Sequence, residues 1–92
     1  MRIYETREQA ARENINGAIL QVDGGYAVFE WSEAFRRIRE EAESLYNRGW
    51  RAENMTAIMT AYEFDTEHAE SIGAELSEIE AEQEQEPEPD TK

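Results

Sequence analysis

The spacing of apolar residues changes several times along this chain, and each change predicts an element. Arg2 to Glu5 reads as a short strand with Ile3 on one face. Thr6 then opens a helix. Thr6 and Gln9 have the spacing of a capping box, in which two side chains satisfy two orphan backbone N–H groups. Ala10, Ala11 and Ile15 give this helix a weak apolar stripe, and Asn16-Gly17 ends it.

Two β-prone runs follow, Ala18-Ile19-Leu20-Gln21-Val22 and Tyr26-Ala27-Val28-Phe29-Glu30-Trp31, around Asp23-Gly24-Gly25. Asp and Gly supply positive φ, so this is a hairpin signature. The loop has either two or three residues. Register stays open between them, and a one-residue slip exchanges the two faces.

Ser32 is the expected cap of a helix from Glu33 to about Arg48. Phe35, Ile38, Ala42 and Leu45 form one face of it. Arg36–Glu40, Arg37–Glu41 and Arg39–Glu43 are i,i+4 pairs on the other side. Gly49 stops this helix, and Trp50 folds back onto it. Residues 54–64 fit two periods. Met55, Ile58, Met59 and Tyr62 have helical spacing, whereas Thr56, Ile58, Thr60, Tyr62 and Phe64 alternate like a strand. Asn54 as N-cap favours the helix. Asp65 or Thr66 begins a last helix with Ala69, Ile72, Leu76 and Ile79 as its stripe, weakened at Gly73 by about 1 kcal/mol relative to Ala. From Ala81 onward there is no apolar period, and disorder is expected.

These elements predict an α+β fold: a short strand, a helix, a β-hairpin and two or three helices packed on a small antiparallel sheet. Residues 1–80 form a single domain, with Phe35, Ile38, Leu45, Met55, Ile58 and Tyr62 in its core. Residues 81–92 form a disordered acidic tail.

Charge changes this picture. The 92 residues carry 22 Asp and Glu against 9 Lys and Arg, a net of −13. Residues 1–50 hold seven arginines and nine acids, a net of −2, so residues 51–92 carry −11. All nine aromatics lie between Tyr4 and Phe64. An acidic surface opposes direct binding to nucleic-acid phosphates. It also opposes anionic lipid headgroups. No cysteine is present, which excludes disulfides, thiolate metal sites and a Cys nucleophile. The N-terminus lacks the apolar run of a secretory signal, and no stretch approaches the roughly 20 apolar residues of a membrane span. The expected location is the cytoplasm.

Candidate chemistry is sparse. His68 is the sole histidine; Asp65, Glu67 and Glu70 share its turn. Ligands this close on one exposed turn do not converge on a metal, so His68 reads as a solvated side chain. No nucleophile elbow, P-loop, dinucleotide fingerprint or EF-hand spacing occurs. Neither catalysis nor a cofactor is expected. Arg36, Arg37 and Arg39 are surrounded by Glu33, Glu40, Glu41 and Glu43, which predicts an ion-paired solvent face. Most aromatics read as core. Tyr26 at the hairpin tip and Trp50 after Gly49 are the candidates for an exposed anchor. From Glu78 to Glu88 a carboxylate falls at every second residue, and Glu67, Glu70 and Glu75 extend the acidity backward.

The stretch Ile3-Tyr4-Glu5-Thr6 through Asn14-Ile15-Asn16-Gly17, followed by Asp23-Gly24-Gly25-Tyr26-Ala27-Val28-Phe29-Glu30-Trp31, resembles small phage and mobile-element proteins. In size and acidity the chain is similar to anti-CRISPR proteins and other DNA-mimic inhibitors. That resemblance implies a non-catalytic inhibitor of a basic, nucleic-acid-handling host protein such as a CRISPR effector. Partner contacts would fall at Glu67, Glu70, Glu75, Glu78, Glu80 and Glu82, with Tyr26 and Trp50 supplying area. The alternative is an interaction module, such as an antitoxin or a small assembly subunit, that binds through the apolar hairpin or the 54–64 segment. No oligomeric state is implied.

Overall fold

A computed structural model describes residues 2–13 and 16–84. Ile15 of the first predicted stripe lies outside them, as does segment 85–92 of the predicted disordered tail. The fold is α+β, with four α-helices and one antiparallel hairpin among the described residues. The chain divides into two compact units, Met1–Ile38 and Arg39–Lys92.

In the first unit, α1 (Arg7–Glu13) starts where Thr6 predicts. Thr6 Oγ1 accepts the Gln9 N–H at 3.1 Å, and Gln9 Oε1 accepts the Glu5 N–H at 3.0 Å. The box is therefore reciprocal but reaches one residue further back than the motif. Ala10 is fully buried, and α1 packs against both strands of the hairpin.

The hairpin pairs β1 (Ala18–Val22) with β2 (Gly25–Phe29), Val22 opposite Gly25. This register selects the two-residue turn, Asp23-Gly24. Asp23 keeps negative φ and Gly24 takes +91°, the sign pattern of a type II turn, so only the glycine supplies positive φ. Leu20 and Ala27 face each other across the ladder, and both are buried. The strand expected over Arg2–Glu5 is a single bridge. Tyr4 and Tyr26 exchange backbone hydrogen bonds of 2.7 and 2.8 Å before Thr6 turns the chain into α1. Gly25, at φ +151°, makes that bridge possible, because a Cβ there would collide with the Tyr4 carbonyl.

Trp31, expected to end the second strand, instead begins α2 (Trp31–Asn47). The Glu30 carbonyl accepts the Ala34 N–H at 2.8 Å, which places Ser32 inside the first turn instead of at the cap. Arg36 and Arg37 both bind Glu33 Oε2, at 2.8 and 2.9 Å. The buried stripe of α2 is Ala34, Ile38, Ala42 and Leu45. Phe35, expected in the core, is 68 % exposed. At 3.6 residues per turn Ala34 lies about 40° from Ile38 and Phe35 about 60° from it. The smaller residue therefore completes the stripe, and the aromatic sits at its margin.

In the second unit α2 ends in a Schellman motif. Gly49 has φ +99°, its N–H binds the Tyr46 carbonyl at 2.9 Å, and the Trp50 N–H binds that of Leu45 at 3.0 Å. A 3-10 turn, Ala52–Asn54, follows. Asn54 Oδ1 accepts the Arg51 N–H at 3.0 Å, so its side chain closes this turn and makes no capping bond to the next helix. The ambiguous segment is helical, as α3 (Met55–Tyr62). Ile58 is buried, whereas Met55 and Tyr62, expected in the core, are half-buried.

Asp65 caps α4 (Thr66–Glu84), its Oδ1 accepting the His68 N–H at 2.8 Å. Ala69, Ile72, Leu76 and Ile79 are buried as the stripe predicts. Ile58, Ile72 and Leu76 are the largest fully buried side chains among the described residues. Each such burial stabilises the unit by about 1.5–3 kcal/mol. The helix runs to Glu84, past the break expected at Ala81. Contacts of Glu80, Glu82 and Glu84 supply the anchoring that apolar periodicity lacks there.

Candidate functional site

The acidity of the chain belongs to one unit. Met1–Ile38 holds five arginines and six acids, a net of −1. Arg39–Lys92 holds four bases and sixteen acids, a net of −12. Much of that charge is organised around two arginines.

Arg39, on α2, gathers four carboxylates. Its guanidinium lies 3.1 Å from Glu43, 3.4 Å from Glu75, 4.0 Å from Glu78 and 2.6 Å from Glu82. Hydrogen bonds to Glu82 and then to Glu43 raise its pKa further. Only the i,i+4 contact with Glu43 follows from local spacing. The other three come from residues 36 to 43 positions away along the chain, so Arg39 joins α2 to α4 instead of decorating a solvent face. Four carboxylates on one guanidinium leave this cluster with a net negative charge.

Arg51 serves the opposite flank of α4. Its Nε donates to Glu84 Oε2 at 2.9 Å, and its Nη1 donates to the carbonyls of Tyr46 and Trp50 at 3.2 and 2.9 Å. The guanidinium stacks 3.9 Å from the Tyr46 ring centroid. The Tyr46 hydroxyl donates to Glu84, and the Ala52 N–H donates to Glu80. Of the glutamates predicted to meet a partner, Glu75, Glu80 and Glu82 are thus engaged within the unit. Glu78 is at the edge of the Arg39 cluster. Glu67 and Glu70 are exposed in the first turns of α4.

Between these two anchors α2 and α4 leave a groove of about 170 Å³, lined by Glu43, Tyr46, Asn47, Ile79 and Gln83. Sequence reasoning missed it. The i,i+4 relation of Glu43 to Asn47 and of Ile79 to Gln83 was readable, but not that the two rows face each other.

The two aromatics predicted as anchors are both half-buried. The Tyr26 ring carries the Arg7 guanidinium 5.1 Å from its centroid. The Trp50 Nε1–H donates to the Tyr62 hydroxyl at 3.2 Å, and their rings meet edge-on at 6.3 Å. Arg48 Nη1 donates to the same oxygen at 3.3 Å. These two bonds, Arg48 first, lower the pKa of Tyr62. The exposed aromatics are Trp31, at 63 %, and Phe35, one turn apart on α2.

His68, expected to be solvated, is 4 % exposed. Its ring meets Phe64 edge-on at 4.7 Å, and its Nε2 lies 2.9 Å from Glu41 Oε1. The cap at Asp65 fixes the start of α4 and turns position 68 inward, beside Ala69 and Ile72 of the stripe. Among the described residues no group of three or more His, Asp and Glu is placed to hold a metal ion. No helix among them is long and apolar enough to cross a membrane. Comparison with protein-family models, curated proteins and solved structures returned no match.

Proposed function

We propose that this chain is a non-catalytic binding protein that docks onto a basic, nucleic-acid-handling protein of the cytoplasm through its second unit, and so inhibits it. A CRISPR effector is the first member of that class to test. The observation that carries this reading is the net charge of −12 on Arg39–Lys92 after a nearly neutral first unit. Such a charge accelerates association with a cationic surface and does so less as salt rises.

The test is capture from host lysate at two salt concentrations, with identification of what binds. A nucleic-acid-binding protein retained at low salt and lost at high salt supports the reading. Its retention should also fall when Glu67, Glu70 and Glu78 are changed together to Gln. Equal retention by that variant at low salt would remove these three glutamates from the contact, and retention that does not fall with salt would remove the charge from the mechanism. Truncation after Glu82 is a poor substitute, because it deletes the Glu84 contacts with Arg51 and Tyr46.

Trp31 and Phe35 favour a second reading, an interaction module that binds through apolar area. In that case retention survives high salt and fails in Trp31→Ser or Phe35→Ser.

A further inference from the structure

We propose that the groove between α2 and α4 is an arginine-binding site, which seats one guanidinium from a basic segment of the partner. The inference rests on the reading above and gives it a location. Three observations carry it.

The first is size. At about 170 Å³ the groove is smaller than the roughly 300–1,000 Å³ of pockets for whole small molecules. A single extended side chain is the natural occupant. The second is lining. Ile79 is buried and supplies an apolar floor for an aliphatic stem. Glu43, Asn47 and Gln83 supply a carboxylate and two amide oxygens for a cation.

The third observation is that two of the groove residues already hold arginines of this chain. Glu43 binds Arg39, and Tyr46 carries Arg51 stacked on its ring. The wall chemistry is therefore suited to guanidinium, which is planar, weakly hydrated and able to bind a carboxylate and an aromatic at once. Arg39 does not saturate the negative charge, because it is shared among Glu43, Glu75, Glu78 and Glu82. A second guanidinium beside Glu43 meets net attraction.

The experiment is an NMR titration of the full chain with capped hexa-arginine at low salt, with hexa-lysine and the uncharged hexa-citrulline as controls. Hexa-arginine should shift the Asn47 and Gln83 side-chain amides and the Ile79 methyl resonances saturably. Hexa-lysine should bind more weakly, and hexa-citrulline should leave the spectrum unchanged. Glu43→Gln should weaken hexa-arginine about tenfold. Gln83→Arg, at an exposed position that does not threaten folding, should do the same by filling the groove with its own guanidinium.

Unchanged affinity in Gln83→Arg overturns the proposal. So do shifts spread over the Glu67–Glu70 turn that spare the groove. If the groove fails this test while a basic partner is still captured in a salt-dependent way, the general reading stands and its location is wrong. If hexa-arginine fills the groove but no basic partner is retained, the site stands and the general reading falls.

Discussion

Glu41 and His68 meet across α2 and α4, Oε1 to Nε2 at 2.9 Å, and the other ring nitrogen of His68 is buried with no hydrogen-bond partner among the described residues. One half of the imidazole is thus satisfied and the other half is not. An unsatisfied buried polar atom costs stability that an apolar side chain of similar size avoids. His68→Leu should therefore change stability by less than about 1 kcal/mol. His68→Ala leaves a cavity and should lower it by about 2–4 kcal/mol. Urea unfolding of the two variants checks the difference. Equal losses would mean that the Glu41 bond, and not packing, is what His68 contributes.

The end of α3 stores strain. Glu63 holds φ +57° while the Phe64 N–H closes onto the Met59 carbonyl at 3.1 Å. This is the position that glycine takes in most helix ends. Glu63→Gly should raise stability by up to about 1 kcal/mol. Glu63→Ala keeps the strained φ and should give no gain. Thermal or chemical unfolding of both variants decides.

Gly25 is the opposite case, a glycine that cannot be replaced. Gly25→Ala drives a methyl into the Tyr4 carbonyl at a φ that L-residues avoid. The Tyr4–Tyr26 bridge should break, with a loss of about 1–3 kcal/mol. Hydrogen exchange should report it as lost protection at the Tyr4 and Tyr26 amides, while the amides of α4 keep theirs.

Tyrosine ionisation carries a pH signature. The hydrogen bonds from Arg48 and Trp50 lower the pKa of Tyr62 below the ordinary 10.0. Desolvation, then bonds to Glu13 and Glu84, raises those of Tyr4 and Tyr46. A group with a lowered folded pKa favours folding above its unfolded value, and that contribution is lost as pH falls through the folded value. Tyr62 should therefore add stability as pH rises towards 10, and Tyr4 and Tyr46 should lose theirs above it. Ultraviolet titration should show one early phenolate, absent in Tyr62→Phe.

Several local signals in the sequence located their elements, although the caps expected at Ser32 and Asn54 did not form. The Thr6–Gln9 cap and the Gly49 stop each depend on residues within one turn of one another, and so do the hairpin at Asp23-Gly24-Gly25 and the start of α4 at Asp65 or Thr66, whose exact loop length and cap residue only the structure selects. So does the stripe of α4, because four buried positions at helical spacing leave one solution. Legibility also failed where the partner is distant. Phe35 has the right period for the core, yet its exposure depends on which neighbour covers the margin of α2. His68 reads as solvated from its acidic neighbours, although its environment is set by Glu41 and by Phe64. The helical state of residues 81–84 depends on Arg39 and Arg51, which no window around those residues contains. The candidate groove was invisible for the same reason.

The two arginine anchors also give the glutamate row of α4 a property that its composition hides. Glu78 and Glu82 face Arg39, whereas Glu80 and Glu84 face Ala52 and Arg51. Alternate glutamates therefore have different addresses, although they are chemically identical. One residue inserted or deleted between Leu76 and Glu80 would rotate everything beyond it by about 100°. Arg39 would lose Glu82 and Arg51 would lose Glu84 together, while Arg39 keeps Glu43 and Glu75, and a neutral insertion leaves the net charge unchanged. The acidic end of this helix is thus far less tolerant of a change in length than a polyacidic tract ordinarily is. Its glutamates act as a measure of distance along the helix as much as a store of charge.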